Sequence, residues 1–272
     1  MRTLFLGDIV GRAGRDAVLE FVPRARQALA LDFVIVNGEN AAGGFGITDD
    51  ICHQLFAAGV DVITGGNHSW DQSAIIPFIE QEPRLLRPLN HVPGTPGRGC
   101  GIFTSRSGQK VLVINALGQV FMDPIDNPFL AIDGELKKVR LGATVQCVVV
   151  DFHAEATSEK MAMGHYLDGR VTAVVGSHAQ VPTADAQLLP NGTAYQSDAG
   201  MCGDYNSVIG VDKEVPIGRF LGKVQRARMV PANGPATVCG VFVQSDDVTG
   251  KATFVAPLRD GGRLRPDWPV PP

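Results

Sequence analysis

The feature that most constrains this chain is one device used five times: a short apolar run that stops abruptly at a carboxylate, an amide or a histidine. Residues 3–6 stop at Gly7 and Asp8, residues 33–36 at Asn37, Gly38, Glu39 and Asn40, and residues 60–64 at Gly65, Gly66, Asn67 and His68. Further on, residues 145–150 run into Asp151, Phe152, His153, Ala154 and Glu155, and residues 171–175 into Gly176, Ser177, His178, Ala179 and Gln180. Apolar runs this short, bounded by turn residues, read as strands buried on both faces.

Between the first three runs lie amphipathic helical patterns. One passes through Val18, Phe21 and Ala25, with Pro23 expected to kink or split it. A second is capped by Thr48, carries Asp49 and Asp50 in its first turn and ends at Gly59. A third covers residues 71–80. Alternation of strand and helix implies a largely parallel sheet, and in open parallel sheets ligands bind beyond the carboxyl ends of the strands. Asp8, Glu39, Asn40, Asn67 and His68 fall there, and His153 and His178 are expected at the same edge of the same sheet.

The strand at residues 111–115 leads to a long loop around Phe121, Asp126, Pro128 and Phe129, suited to a lid or to a subunit contact in a homo-oligomer. A short helical or irregular segment follows at residues 132–139, and a helix with Thr157 and Ser158 at its start ends near Gly169. After residue 180 the alternation changes. Residues 187–189, 193–196, 224–230, 237–243 and 252–256 are strand-like and separated by turns, which predicts a second, mainly antiparallel sheet packed on the first. No internal repeat or low-complexity linker divides residues 1–272, so one domain is expected, with a peripheral Pro-rich tail from about residue 265.

Two carboxylates, amide oxygens and two imidazoles form a ligand set for Mn, Fe or Zn, whereas Ca or Mg would take oxygen almost alone. One ion seldom uses so many side chains. Two ions would, and they would need a bridging carboxylate, for which Glu39 is best placed. Four cationic charges against the two carboxylates leave a locally positive site in a chain of net charge −4, and a phosphate ester would bind there. That acidity leaves no broad basic face for duplex nucleic acid. The five cysteines are scattered, with no CxxC pair, and read as reduced, mostly buried thiols. No apolar run approaches membrane-spanning length, and a soluble, cytoplasmic protein is expected. The Gly-rich turn at residues 7–14 has neither GxGxxG spacing nor a Gly-Lys-Ser/Thr sequence, so it is not read as a nucleotide-cofactor loop.

Five motifs carry a family resemblance: Gly-Asp-Ile-Val-Gly from Gly7, Asn-Gly-Glu-Asn-Ala-Ala from Asn37, Gly-Asn-His-Ser-Trp-Asp from Gly66, Asp-Phe-His-Ala-Glu-Ala-Thr-Ser-Glu from Asp151, and Leu-Pro-Asn-Gly-Thr-Ala-Tyr from Leu189. The chain resembles the YmdB-like members of the calcineurin-like metallophosphoesterases, in order and over nearly its whole length. The resemblance implies a four-layer α/β/β/α sandwich with two mixed sheets flanked by helices. It also implies a dinuclear centre, usually Fe or Mn, and phosphodiesterase activity on small substrates such as 2′,3′-cyclic nucleotides, with a metal-activated water as nucleophile. By the same resemblance Asp8, Glu39 and Asn40 hold the first ion. Glu39, Asn67, His153 and His178 hold the second, and His68 is the proton donor.

The chain departs from the family pattern at Gln180, where relatives carry the second imidazole of a His-x-His pair. An amide oxygen or a water there holds a transition metal less well than imidazole, so a weaker first site is expected. A phosphomonoesterase or protein phosphatase on the same centre, and a nucleotide-binding regulator with weak catalysis, stay open at this point. So do an imidazole-orienting role for Glu155, base stacking by Trp70, Phe121 or Phe129, and a flexible loop at residues 200–207 lining the substrate side.

Overall fold

The computed structural model describes residues 1–223 and 227–271. Its first part follows the expected alternation: β1 (Arg2–Leu6), β2 (Asp8–Ile9), α1 (Gly11–Ala28), β3 (Phe33–Asn37), α2 (Asp49–Ala58), β4 (Val62–Thr64), α3 (Ile76–Gln81) and β5 (Leu85–Leu86). Then come β6 (Cys100–Thr104), β7 (Lys110–Leu117), α4 (Pro128–Leu136), β8 (Cys147–His153), α5 (Thr157–Leu167) and β9 (Ala173–Ser177). The last part holds β10 (Gln187–Leu188), β11 (Ala194–Gln196), β12 (Met201–Asp204), α6 (Glu214–Phe220), β13 (Ala236–Ser245) and β14 (Ala252–Asp260).

Local signals act as read at α2, where the Thr48 hydroxyl accepts from the Ile51 amide and Gly59, at φ 104°, closes the helix. Pro23 does not split α1, which continues to Ala28. The proline removes one amide donor, and the buried face of Val18, Phe21, Val22 and Ala25 outweighs that loss.

The sheets divide differently from the expectation. One has the order β2-β12-β13-β1-β3-β4-β5, with β14 on the other side of β13; the second has the order β10-β11-β9-β8-β7-β6. The late strands therefore do not form a sheet of their own. β13 runs antiparallel to β1, with Phe5 opposite Val241, while β11 runs parallel to β9. Residues 224–226 of the expected strand 224–230 lie outside the described residues, and 227–230 are not strand.

Alternation along each strand builds the layers. Leu4, Leu6, Val34 and Val36 face outward onto Val18, Phe21 and Leu55 of the helices. Phe5, Phe33 and Ile35 face inward onto Val113, Val149 and Val175 of the other sheet. That sheet's outer face, with Ile114, Val148 and Val150, packs against Ile132, Met163 and Leu167. The result is the α/β/β/α sandwich, with both sheets buried on both faces. The tail is less peripheral than expected as far as Trp268, since Asp267 pairs with Arg259 and the indole packs on Phe21.

Candidate metal centre

The polar strand ends do not share one sheet. Asp8, Glu39 and Asn67 follow β1, β3 and β4 of the larger sheet, while His153 ends β8 and His178 follows β9 of the smaller one. The parallel strands of both sheets present their carboxyl ends to the same place, so the residues meet across the gap between the sheets. Glu39, His153 and His178 bring one ligand atom each within 4.8 Å of one another.

His153 is the hub. Its Nε2 lies 3.1 Å from Glu39 Oε1, 3.1 Å from Asn67 Oδ1 and 3.1 Å from His178 Nδ1. Its Nδ1 lies 2.8 Å from Ser177 Oγ, and that hydroxyl donates to Asp151 Oδ1 at 2.5 Å. Because the serine proton is committed to Asp151, Ser177 accepts from Nδ1–H, so the ring, once a cation displaces its other proton, turns a lone pair at Nε2 toward the two oxygens. Such a gathering of lone pairs needs a cation at its centre. A first-row ion with ligands at about 2.1 Å sets neighbouring ligand atoms about 3.0–3.4 Å apart, which is the spacing found here.

Asp8 and Glu39 complete the acidic part. The His178 amide donates to Asp8 Oδ2 at 3.2 Å, while Asp8 Oδ1 is buried with no hydrogen-bond partner. Glu39 Oε2 accepts the His68 amide at 3.2 Å, and Oε1 accepts the Asn40 amide at 3.0 Å. Gly66 makes room for this approach. A Cβ there would fall 2.1 Å from Glu39 Oε2 and 2.4 Å from His153 Nε2. The orphaned carboxylate oxygen, the donor set and the side-chain-free approach all fit a metal ion.

The charges agree. Burial pushes the Asp8 carboxyl up to about 8, against the pull of His153. Burial also works against the Glu39 charge, but the His153 imidazole and its hydrogen bond, then His68, take that group down to about 2. His153, which burial alone would lower, is raised to about 9 by Glu39, Asp8 and Asp151. His178 is lowered to about 4 by burial and by His153. Without a metal ion, protons on His153 and Asp8 take the cation's place at neutral pH.

The other expected residues gather around this cluster. His68 is held by Asp71, Nδ1 to Oδ2 2.7 Å, and packs T-shaped with Phe45, their ring centroids 5.1 Å apart. Glu155 lies beside the His178 imidazole, with Oε2 3.2 Å from Nε2. Gln180 is buried and, with His68 and His178, lines the cavity beside the cluster. His178 and Gln180 both have positive φ, 93° and 62°, a conformation that non-glycine residues keep only where surrounding structure enforces it.

Sequence reasoning missed the Asp151–Ser177 relay, although both residues stand in polar strand ends already singled out. It also missed Asp71, which lies at the end of the Gly66 motif, three residues after His68. Residues 201–204 are not a flexible loop but β12, and the Tyr205 hydroxyl is held by the Met201 backbone. Phe129 packs on Phe152 and Tyr166, and Trp70 meets His91 edge-on, so these rings are engaged within the chain.

Comparison with known proteins gives the same family. A family model for YmdB-like proteins matches residues 4–258. The 2′,3′-cyclic-nucleotide 2′-phosphodiesterase of Bacillus subtilis (strain 168) is 46% identical over 255 residues, covering 94% of this chain and 95% of that protein. A crystal structure of a hypothetical protein from Thermus thermophilus superposes with a TM-score of 0.89 at 41% identity, covering 97% of this chain and 100% of that one. A Mycoplasma pneumoniae structure titled a novel phosphatase has a TM-score of 0.89 at 34% identity, covering 96% of this chain and 93% of that one.

Proposed function

We propose that this chain, which belongs to the YmdB-like family, is a metal-dependent phosphodiesterase that hydrolyses small phosphate esters, 2′,3′-cyclic nucleotides in particular. The observation that carries this reading is the meeting of Glu39, His153 and His178 within 4.8 Å, across the gap between the sheets. Asp8, Glu39 and Asn40, with Gln180 beside them, would hold a first ion. Glu39, Asn67, His153 and His178 would hold a second. Two such ions, Fe or Mn, would supply Lewis acidity at the phosphoryl oxygens and lower the pKa of a water.

The chain's own residues set the rest of the reaction. The Ser177–Asp151 relay fixes the His153 ring with Nε2 toward the ligands. Asp71 holds His68 by Nδ1 and leaves Nε2 to deliver a proton to the leaving alkoxide. A water oxygen forms the new bond to phosphorus and releases a proton to solvent, the ester P–O bond breaks, and the departing oxygen takes the His68 proton, which His68 regains from solvent. Among the described residues no helix is long and apolar enough to cross a membrane, which is compatible with a small dissolved substrate.

Metal analysis together with turnover of 2′,3′-cyclic AMP in added Mn tests the reading, and p-nitrophenyl phosphate run in parallel separates a monoesterase. Protein that binds no metal and stays inactive after reconstitution would sink it. His68→Ala is expected to keep its metals and lose about a hundredfold or more in kcat.

A further inference from the structure

The candidate metal centre opens into a cavity of about 670 Å³ whose lining is of two kinds. Glu39, Asn40, His68 and His178 are polar. Phe45, beside His68, and Val208, Ile209, Val211, Phe220 and Met229 make an apolar wall. The volume is in the range of small-ligand sites and exceeds what a bare phosphate ester needs. Among the described lining residues, Arg219 is the one cation apart from the histidines, and its Nη1 rests 3.7 Å from Met229 Sδ.

Two features of the apolar wall go beyond simple packing. Phe220, the last residue of α6, is 88% exposed, and Ile209 is 55% exposed. Ile209 also sits at φ 44°, followed by Gly210 at φ 85°, in a two-residue turn closed by hydrogen bonds of 2.9 and 3.0 Å between Val208 and Val211. Successive positive φ values mark the tight hairpin turn that ordinarily takes Asn or Gly first. A β-branched residue there is an outlier. The backbone carries this strain to hold an apolar side chain at the cavity mouth, and such strain gathers at ligand clamps.

We propose that Ile209 and Phe220 clamp the base of a nucleotide substrate, and that they do so without reading which base it is. The proposal rests on the phosphodiesterase reading above, which places the phosphate against the polar residues and so leaves the apolar wall for the nucleoside. Stacking and apolar contact serve every base, since each has a π face. A site walled this way discriminates modestly, whereas one built from paired donors and acceptors would reject the wrong base by orders of magnitude.

The test compares Phe220→Ala and Ile209→Gly with the parent protein, all loaded with Mn. Substrates are the four 2′,3′-cyclic nucleotides and the base-free diester glycerol 1,2-cyclic phosphate, and adenosine binding is followed separately by saturation-transfer NMR. The parent is expected to turn over all four nucleotides with kcat/KM within about tenfold. Each variant is expected to raise the nucleotide KM about tenfold with little change in kcat, to leave the base-free diester unaffected and to lose the adenosine signal. Ile209→Gly is expected to unfold at no lower urea concentration, because it relieves the turn. Equal losses on both substrate types would overturn the proposal, as would unchanged nucleotide KM or a fall in oligomeric mass with KM unaltered. If the parent cleaves no diester yet binds adenosine through these side chains, the phosphodiesterase reading fails and the base site stands. If it cleaves cyclic nucleotides and the variants match it, the base site fails alone.

Discussion

Glu39 is the residue on which both halves of the site depend. One carboxylate oxygen faces His153 and Asn40, and the other receives the His68 amide. Glu39→Gln keeps the shape but removes the charge that, on the proposed function, two cations would share, so we expect loss of both ions and a fall in kcat of more than about a hundredfold. Metal analysis and turnover check this, and full activity would refute the bridging role. Gln180 is the opposite case, a position where the family resemblance leads us to expect an imidazole and the chain offers an amide. Gln180→His is expected to tighten the first ion and raise turnover by about tenfold; a metal titration that does not move would show that the position is not a ligand. At this scale the sequence was most informative, because a polar residue ending a buried strand has few bland explanations when five strands do it. The two partners it did not reveal, Ser177 for His153 and Asp71 for His68, act through hydrogen bonds whose directions depend on side-chain rotamers.

Among the elements, α5 and the segment after β11 are tied by a buried ion pair that the sequence did not suggest. Lys160 is 2% exposed and Asp198 is 1% exposed, and their Nζ and Oδ2 are 2.7 Å apart. The same Oδ2 accepts the Ala179 amide at 3.0 Å, and Oδ1 accepts the Gly200 amide at 2.8 Å. Asp198 thus fixes the backbone between His178 and Gln180, the segment held at positive φ. Asp198→Ala leaves an ammonium buried without its partner and is expected to cost about 3–5 kcal/mol in urea unfolding. It should also weaken metal binding by loosening the His178 turn. Replacing Lys160 by Met in the same protein should recover part of the stability but not the metal affinity. An unchanged urea midpoint for Asp198→Ala would contradict this account. The strands themselves were legible because burial on both faces demands unbroken apolar runs. Their partners were not, since residues 237–243 carry the same apolar pattern whether they pair with β1 or with one another.

For the molecule as a whole, the site links folding, protons and metal. In metal-free protein Asp8 and His153 both have folded-state values above their unfolded ones, about 8 and about 9. The native state therefore holds more protons than the unfolded state near neutrality, and stability falls as pH rises. The Asp8 contribution is full below its unfolded value and lost through about 8; that of His153 is full below its unfolded value and lost through about 9. Glu39 and His178, lowered to about 2 and about 4, add stability that is lost only toward acid. Chelated protein is thus expected to unfold at lower urea at about pH 9 than at about pH 7, while Mn-loaded protein, whose ions displace those protons, resists the change. Calorimetry in buffers of different ionisation enthalpy should register proton release on Mn binding at neutral pH. Equal urea midpoints for the chelated protein at the two pH values would count against the assignment.

The sequence by itself determined the buried strands β1, β3, β4, β7, β8 and β9, the helices α1 and α2 and the polar residues that end five of those strands, because burial and turn chemistry act within a few positions of the chain. The family motifs added the four layers and a reading for each polar terminus, including the weak point at Gln180. Only the tertiary structure decided that β13 and β14 join the sheet of β1 while β10 and β11 join that of β9. It also placed the candidate centre in the gap between the two sheets rather than along the edge of one. Pairing between strands is chosen by contacts between distant residues, and apolar runs of similar composition do not specify their partners. The orphaned oxygen of Asp8 and the strained turn at Ile209 became visible for the same reason: each is defined by what surrounds it in space.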